Sequence, residues 1–148
     1  MFLAAMFAVA CAQLPSGERA YLPSELNANP TAFDGRPVRV LGLVRASDHG
    51  HSIYESLAME EEFMRRWNNG DFDPKAFAGY CLTIINPEIL IVNPEVFDRQ
   101  TMELSGTFYA EYLAKGDYDF GACHARTGLL IDEQEIAARF PGIEVPAD

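Results

Sequence analysis

Basic charge is scarce in this sequence. Eleven Lys and Arg stand against 22 Asp and Glu, a formal charge of −11, and the acids are spread along the chain instead of gathered in a tail. Such a surface repels phosphate backbones and anionic lipid headgroups. Nucleic acid is therefore disfavoured as a partner, unless a local basic groove overrides the average. Motifs that carry chemistry are missing too. There is no Cys-x-x-Cys pair, no phosphate loop and no nucleophile elbow. No apolar run reaches the roughly 20 residues of a spanning helix, because Pro15-Ser16-Gly17-Glu18-Arg19 ends the first one. The expectation is no cofactor and no metal. What is present suffices for a core: 148 residues, 49% of them hydrophobic, suit one globular domain and argue against global disorder.

Met1 to Ala10 carries no charge and no helix breaker, and small residues follow it. This is the pattern of an exported precursor. The expected organisation is a signal or lipoprotein signal segment over 1–12, a flexible lead over 13–21, a single domain over 22–140 and a tail over 141–148. Two cleavage readings compete. Ala8-Val9-Ala10-Cys11 resembles a lipobox that would make Cys11 the lipid-bearing first residue, although Ala8 sits where Leu or Val is usual. Ala10-Cys11-Ala12 satisfies the small-x-small rule for cleavage before Gln13. A buried N-terminal helix is the other reading of the same run. Either cleavage leaves Cys81 and Cys123 as a lone pair, which in an exported domain implies a disulfide. Two buried thiols are the alternative. The expected location is the periplasm or, through lipid on Cys11, the outer membrane.

One stretch occurs twice. Leu26, Asn29-Pro30, Phe33-Asp34 and Gly42 recur 64 residues later, without a gap, as Leu90, Asn93-Pro94, Phe97-Asp98 and Gly106. Each copy reads as a short helix or turn feeding an alternating strand with a Gly inside it. In the first, Ser24 is a candidate N-cap. Val38, Val40, Gly42 and Val44 share one strand face, with Arg39, Leu41, Leu43 and Arg45 on the other. The mid-strand Gly suggests a bulge or sharp coil. Ser52 to Glu55 reads as a second strand. Ser56 caps a helix from Leu57 to about Trp67, with Met59, Phe63 and Trp67 as its expected core stripe and Met64 beside them. Glu61–Arg65 and Glu62–Arg66 are its expected surface pairs. Tyr80 to Ile85 is a third strand, Met102 to Leu113 a fourth, and Tyr118 to Ile131 holds the last, broken near Thr127-Gly128. Asp132 and Glu135 form a capping box for a terminal helix over Glu133 to Phe140.

Five short strands with Gly kinks in the first and fourth have the order of a small Greek-key barrel. In Asn29-Pro30, Phe33-Asp34-Gly35, Val38, Val40, Gly42 and Val44, supported by Tyr80-Cys81-Leu82 and Gly106, the chain resembles exported bacterial domains of the oligonucleotide/oligosaccharide-binding (OB) fold. The resemblance implies a mainly β, OB-like barrel with a helix inserted between strands two and three and a short C-terminal helix. It also implies that the third and fifth strands are neighbours, which would bring Cys81 near Cys123.

Three functions compete. The first is a noncatalytic cell-envelope binding or adaptor module for a protein or small ligand, using the barrel face or the inserted helix. Tyr109, Tyr112, Tyr118 and Phe120 are its candidate aromatic contacts, with packing of that hairpin on the barrel as the alternative. The second is single-stranded nucleic-acid binding, for which Arg36, Arg39 and Arg45 are the only candidate stripe. The third is a small metal-dependent hydrolase drawing on Asp71, Asp73, His49, His51 and His124, which no spacing holds together.

Overall fold

The structure, a computed structural model, describes residues 19–47, 50–71, 73–117, 119 and 123–147. Five strands close into a barrel in the order β1-β2-β3-β5-β4, with β1 Pro37–Ser47, β2 Gly50–Tyr54, β3 Cys81–Ile84, β4 Thr101–Tyr109 and β5 Gly128–Ile131. β3 and β5 are parallel, and the other neighbours are antiparallel. Helices α1 Pro23–Ala28 and α2 Pro30–Phe33 precede the barrel. α3 Leu57–Asn69 is inserted between β2 and β3, followed by α4 Pro74–Phe77 and a 3₁₀ turn Ala78–Tyr80. α5 Glu88–Ile91 and α6 Pro94–Phe97 lie between β3 and β4, and α7 Glu133–Arg139 follows β5. The fold class, the inserted helix and the terminal helix agree with the sequence reading.

Strand alternation explains the core. Val38, Val40, Val44 and Ala46 of β1 meet Ile53, Leu82, Ile84, Leu104, Phe108, Leu129 and Ile131 inside the barrel, and Leu26, Ile89, Leu90, Phe97 and Ile136 join them from the helices. Each large side chain so buried contributes about 1.5–3 kcal/mol. The β1–β4 ladder runs unbroken through both mid-strand glycines, so neither marks a bulge. What each allows is a close crossing. A Cβ on Gly42 would collide with the Tyr54 carbonyl oxygen, and one on Gly106 with that of Leu130.

The repeated stretch is an internal two-fold. In the β1–β4 ladder Val38 faces Gly106, Val40 faces Leu104 and Gly42 faces Met102, so the axis passes between Val40 and Leu104. The turns obey the same symmetry. Asp34 Oδ1 accepts from the Ala110 N–H at 2.9 Å and Asp98 Oδ1 from the Ala46 N–H at 3.0 Å. Gly35 N–H donates to the Phe108 carbonyl and Arg99 N–H to the Val44 carbonyl, both at 2.8 Å. The symmetry continues past the repeated sequence: β2 follows β1 and leads to α3, as β5 follows β4 and leads to α7.

Several local expectations are corrected. β4 ends at Tyr109, four residues short of Leu113. α1 begins at Pro23 with Leu22 at its cap, where Glu25 accepts the Leu22 N–H at 2.8 Å; the Ser24 N–H bonds Glu55 instead. From Tyr21 the expected lead is held on β1, since Tyr21 bridges Val40. In the expected tail, Glu144 exchanges two 2.8 Å hydrogen bonds with the buried Asn93 side chain. The segment 1–12, including Cys11, lies outside the described residues.

Candidate functional site

The outer face of β1, β2 and β3 carries a second, smaller apolar cluster of Leu43, Tyr54, Cys81 and Cys123, with Phe63 and Ala125 packed on it. Cys81 and Cys123 form a disulfide, as the sequence leads one to expect. α3 lies over this face. Ser56 caps it by accepting the Met59 N–H at 3.3 Å, and Gly70, in the left-handed region at φ 70°, ends it.

The only buried residue of α3 is charged. Glu60 Oε1 pairs with Arg45 at 2.6 Å, and Arg45 also reaches Asp98 at 3.3 Å. Arg99 adds longer contacts to Glu60 and Glu61 at 3.8 and 3.7 Å. Glu61 therefore pairs with Arg99 and not with Arg65. Glu62 holds both Arg65 and Arg66, at 2.7 and 2.8 Å, and those bonds lower its carboxyl to about 2. Tyr54, beneath α3, is pushed up to about 12, chiefly by burial and then by the Glu60 charge, with Arg45 opposing. Beside Arg45, the buried Ser52 hydroxyl has no hydrogen-bond partner among the described residues.

The expected core stripe of α3 divides. Met59 and Phe63 are half-buried, whereas Trp67 is 54% exposed and Met64 40%. Phe63 is the pivot of an aromatic group. Its ring lies 5.8 Å from Tyr54, 5.7 Å from Phe77 and 6.1 Å from His124, and it stacks with Trp67 at 6.3 Å and 12°. Trp67 also stacks with His124 at 6.4 Å. Desolvation lowers the His124 pKa below its ordinary value. The arrangement is a partly exposed aromatic ledge beside a disulfide. Its sequence signal was the i, i+4 pair Phe63 and Trp67; the part played by His124 had none.

The candidate tyrosines lie elsewhere. Tyr109 sits on the outward face of β4, half-buried and in register with Gly128. The Tyr112 hydroxyl donates to Asp119 Oδ2 at 3.1 Å, and His51 Nε2 meets the same oxygen at 3.0 Å. Burial pushes Tyr112 up to about 12, with the Asp119 charge adding and a Thr83 hydrogen bond opposing. Tyr118 and Phe120 lie outside the described residues.

Nothing matches in the comparisons with protein families, curated proteins and solved structures. Residues considered for other chemistry are dispersed. Arg39 pairs with Glu103 and Arg45 with Glu60, so two of the three candidate basic residues are neutralised. Asp73 caps α4 through the Lys75 N–H, His51 is engaged by Asp119, His124 is stacked, and His49 lies outside the described residues. Among the described residues no cluster of three His, Cys, Asp or Glu could hold a metal ion, and no helix is long and apolar enough to cross a membrane.

Proposed function

We propose that this chain is a noncatalytic binding or adaptor module of the cell envelope, built on an OB-like barrel, and that it meets a protein partner through the α3 ledge. The strand order, with β3 parallel to β5, supports the OB-like reading. The Cys81–Cys123 bond and the leader-like N-terminus support export, with or without lipid on Cys11. The observation that carries the binding reading is Trp67: about half exposed, yet stacked with Phe63 and His124, with Leu57 and Met64 also exposed on the same helix. A held, exposed tryptophan loses little rotamer freedom on binding, which is why such residues dominate interface energetics. Tyr109 and Tyr112 remain a second proposed contact. Single-stranded nucleic acid is the reading fold class alone favours, and the paired arginines oppose it.

The test is site-specific photocrosslinking of the full chain in a Gram-negative host, with the reactive residue at position 67 and, as control, at the exposed Thr31 on α2. A discrete adduct from position 67, absent from position 31 and recovered with the envelope, is expected. Identical adducts from both positions, none from 67, or recovery only from the cytosol would overturn the proposal.

A further inference from the structure

The two symmetric halves end alike. Ser56 caps α3 by accepting the Met59 N–H, and Asp132 caps α7 by accepting the Glu135 N–H. Four residues past each cap, one side chain turns inward: Glu60 in α3 and Ile136 in α7. There the halves diverge. Ile136 enters the barrel core, with Ala137 and Phe140 packed beside it. Glu60 meets Arg45.

We infer that α3 is a lid, latched on the outer barrel face by the Glu60–Arg45 pair and able to lift as a unit while the barrel stays closed. Three observations converge on this. The chain is fixed directly before the helix and again beyond α4, where β3 begins. Before it, Glu55 accepts the Ser24 N–H at 3.0 Å and donates its own N–H to the Tyr80 carbonyl at 2.9 Å. After it, the Asn27 side chain bonds the carbonyls of Ala78, Gly79 and Cys81. The staple that secures the barrel, Cys81–Cys123, bypasses α3. Finally, the one fully buried contact of the helix is ionic, and its apolar contacts through Met59 and Phe63 are only half-buried. Lifting an apolar anchor exposes surface that water rejects, whereas two separated ions regain hydration, so the closed and open states of a charge-latched helix are closer in free energy. Opening would uncover Leu43, Tyr54 and the disulfide. The inference rests on how α3 is attached and holds whether or not Trp67 meets a partner.

Amide hydrogen exchange on the oxidised full-length protein tests it. In the wild type, helix amides over 61–67 are expected to show protection at least about tenfold below those of β1 and β4, the mark of sub-global opening. Glu60→Gln should lower helix protection about tenfold further, leave the strand amides unchanged, and red-shift the emission of Trp67, the only tryptophan. Equal protection in helix and strands of the wild type would overturn the inference without any variant. So would a Glu60→Gln protein in which helix and strands lose protection by the same factor, or in which the helix loses none.

Discussion

Arg99 holds the left-handed backbone conformation, φ 58°, that Gly35 holds at φ 70° in the symmetry-related turn. The first half uses the residue that tolerates this geometry, and the second forces a long side chain into it. A non-glycine residue there costs about 1 kcal/mol, and its compensation is small, since the Arg99 ion pairs are long and the Arg99 side chain itself is half-exposed. Arg99→Gly should therefore stabilise the fold by up to about 1 kcal/mol, raising Tm by about 2–4 °C. Gly35→Ala should cost a similar amount, purely conformational because nothing lies within 4 Å of the added Cβ. Thermal unfolding followed by circular dichroism decides it, and a lower Tm for Arg99→Gly would refute the strain argument.

Gly42 and Gly106 matter for a different reason. An added methyl at Gly42 would also stand 2.7 Å from Ile53 Cγ1, and one at Gly106 2.9 Å from Ile131 Cα. Backbone atoms cannot rotate away, so the barrel wall must spread. Gly42→Ala and Gly106→Ala should each cost about 2–4 kcal/mol. Gly79→Ala, with open space around it, should stay within about 0.5 kcal/mol of the wild type. Urea unfolding of the three variants provides the comparison. Equal midpoints would mean that the strands do not cross this closely.

The repeat was visible in the sequence because Asn-Pro and Phe-Asp mark turns whose geometry depends on those residues. Its continuation was hidden. Ser56 and Asp132 play the same part, but the β4–β5 connection is longer than the β1–β2 connection, so the two caps fall out of register in any ungapped reading. Strand faces followed from alternation, and Cys81–Cys123 from elimination. The seat of α3 did not, because its one buried residue is Glu60 and hydrophobic periodicity cannot find a charged anchor. The same blindness made Trp67 an expected core residue. A helix on the outside of a barrel can hold Phe63 against the wall and leave Trp67 in water. Asp119, which joins His51 to Tyr112, lies in a loop whose contacts no local pattern encodes.

The disulfide closes a separation of 42 residues and ties β3 to the segment entering β5. On loop-entropy grounds its loss should cost about 4 kcal/mol. Cys81→Ala/Cys123→Ala, or wild type unfolded in reductant, should show a matching fall in the urea midpoint with the barrel still formed in water. Indistinguishable oxidised and reduced midpoints would contradict this, and would remove one support for an exported protein.

Alkaline stability should report the packing under α3. Tyr54 titrates at about 12 when folded, against 10.0 in its ordinary state. The folded protein then retains a proton that the unfolded chain has lost, so unfolding is favoured as pH rises between those values. The contribution of Tyr54 is fully present below pH 10 and is lost progressively up to about 12. It amounts to roughly 2–3 kcal/mol, given 1.36 kcal/mol per pKa unit. Tyr112 is shifted in the same direction and adds to the trend. Tyrosinate absorbance and far-ultraviolet circular dichroism, followed together with rising pH, should show some of the six tyrosines ionising only as the fold is lost. Tyr54→Phe should move the alkaline transition upward, since a side chain without a hydroxyl has no proton to lose. If all tyrosines ionise near pH 10 with the fold intact, α3 does not shield Tyr54 from water.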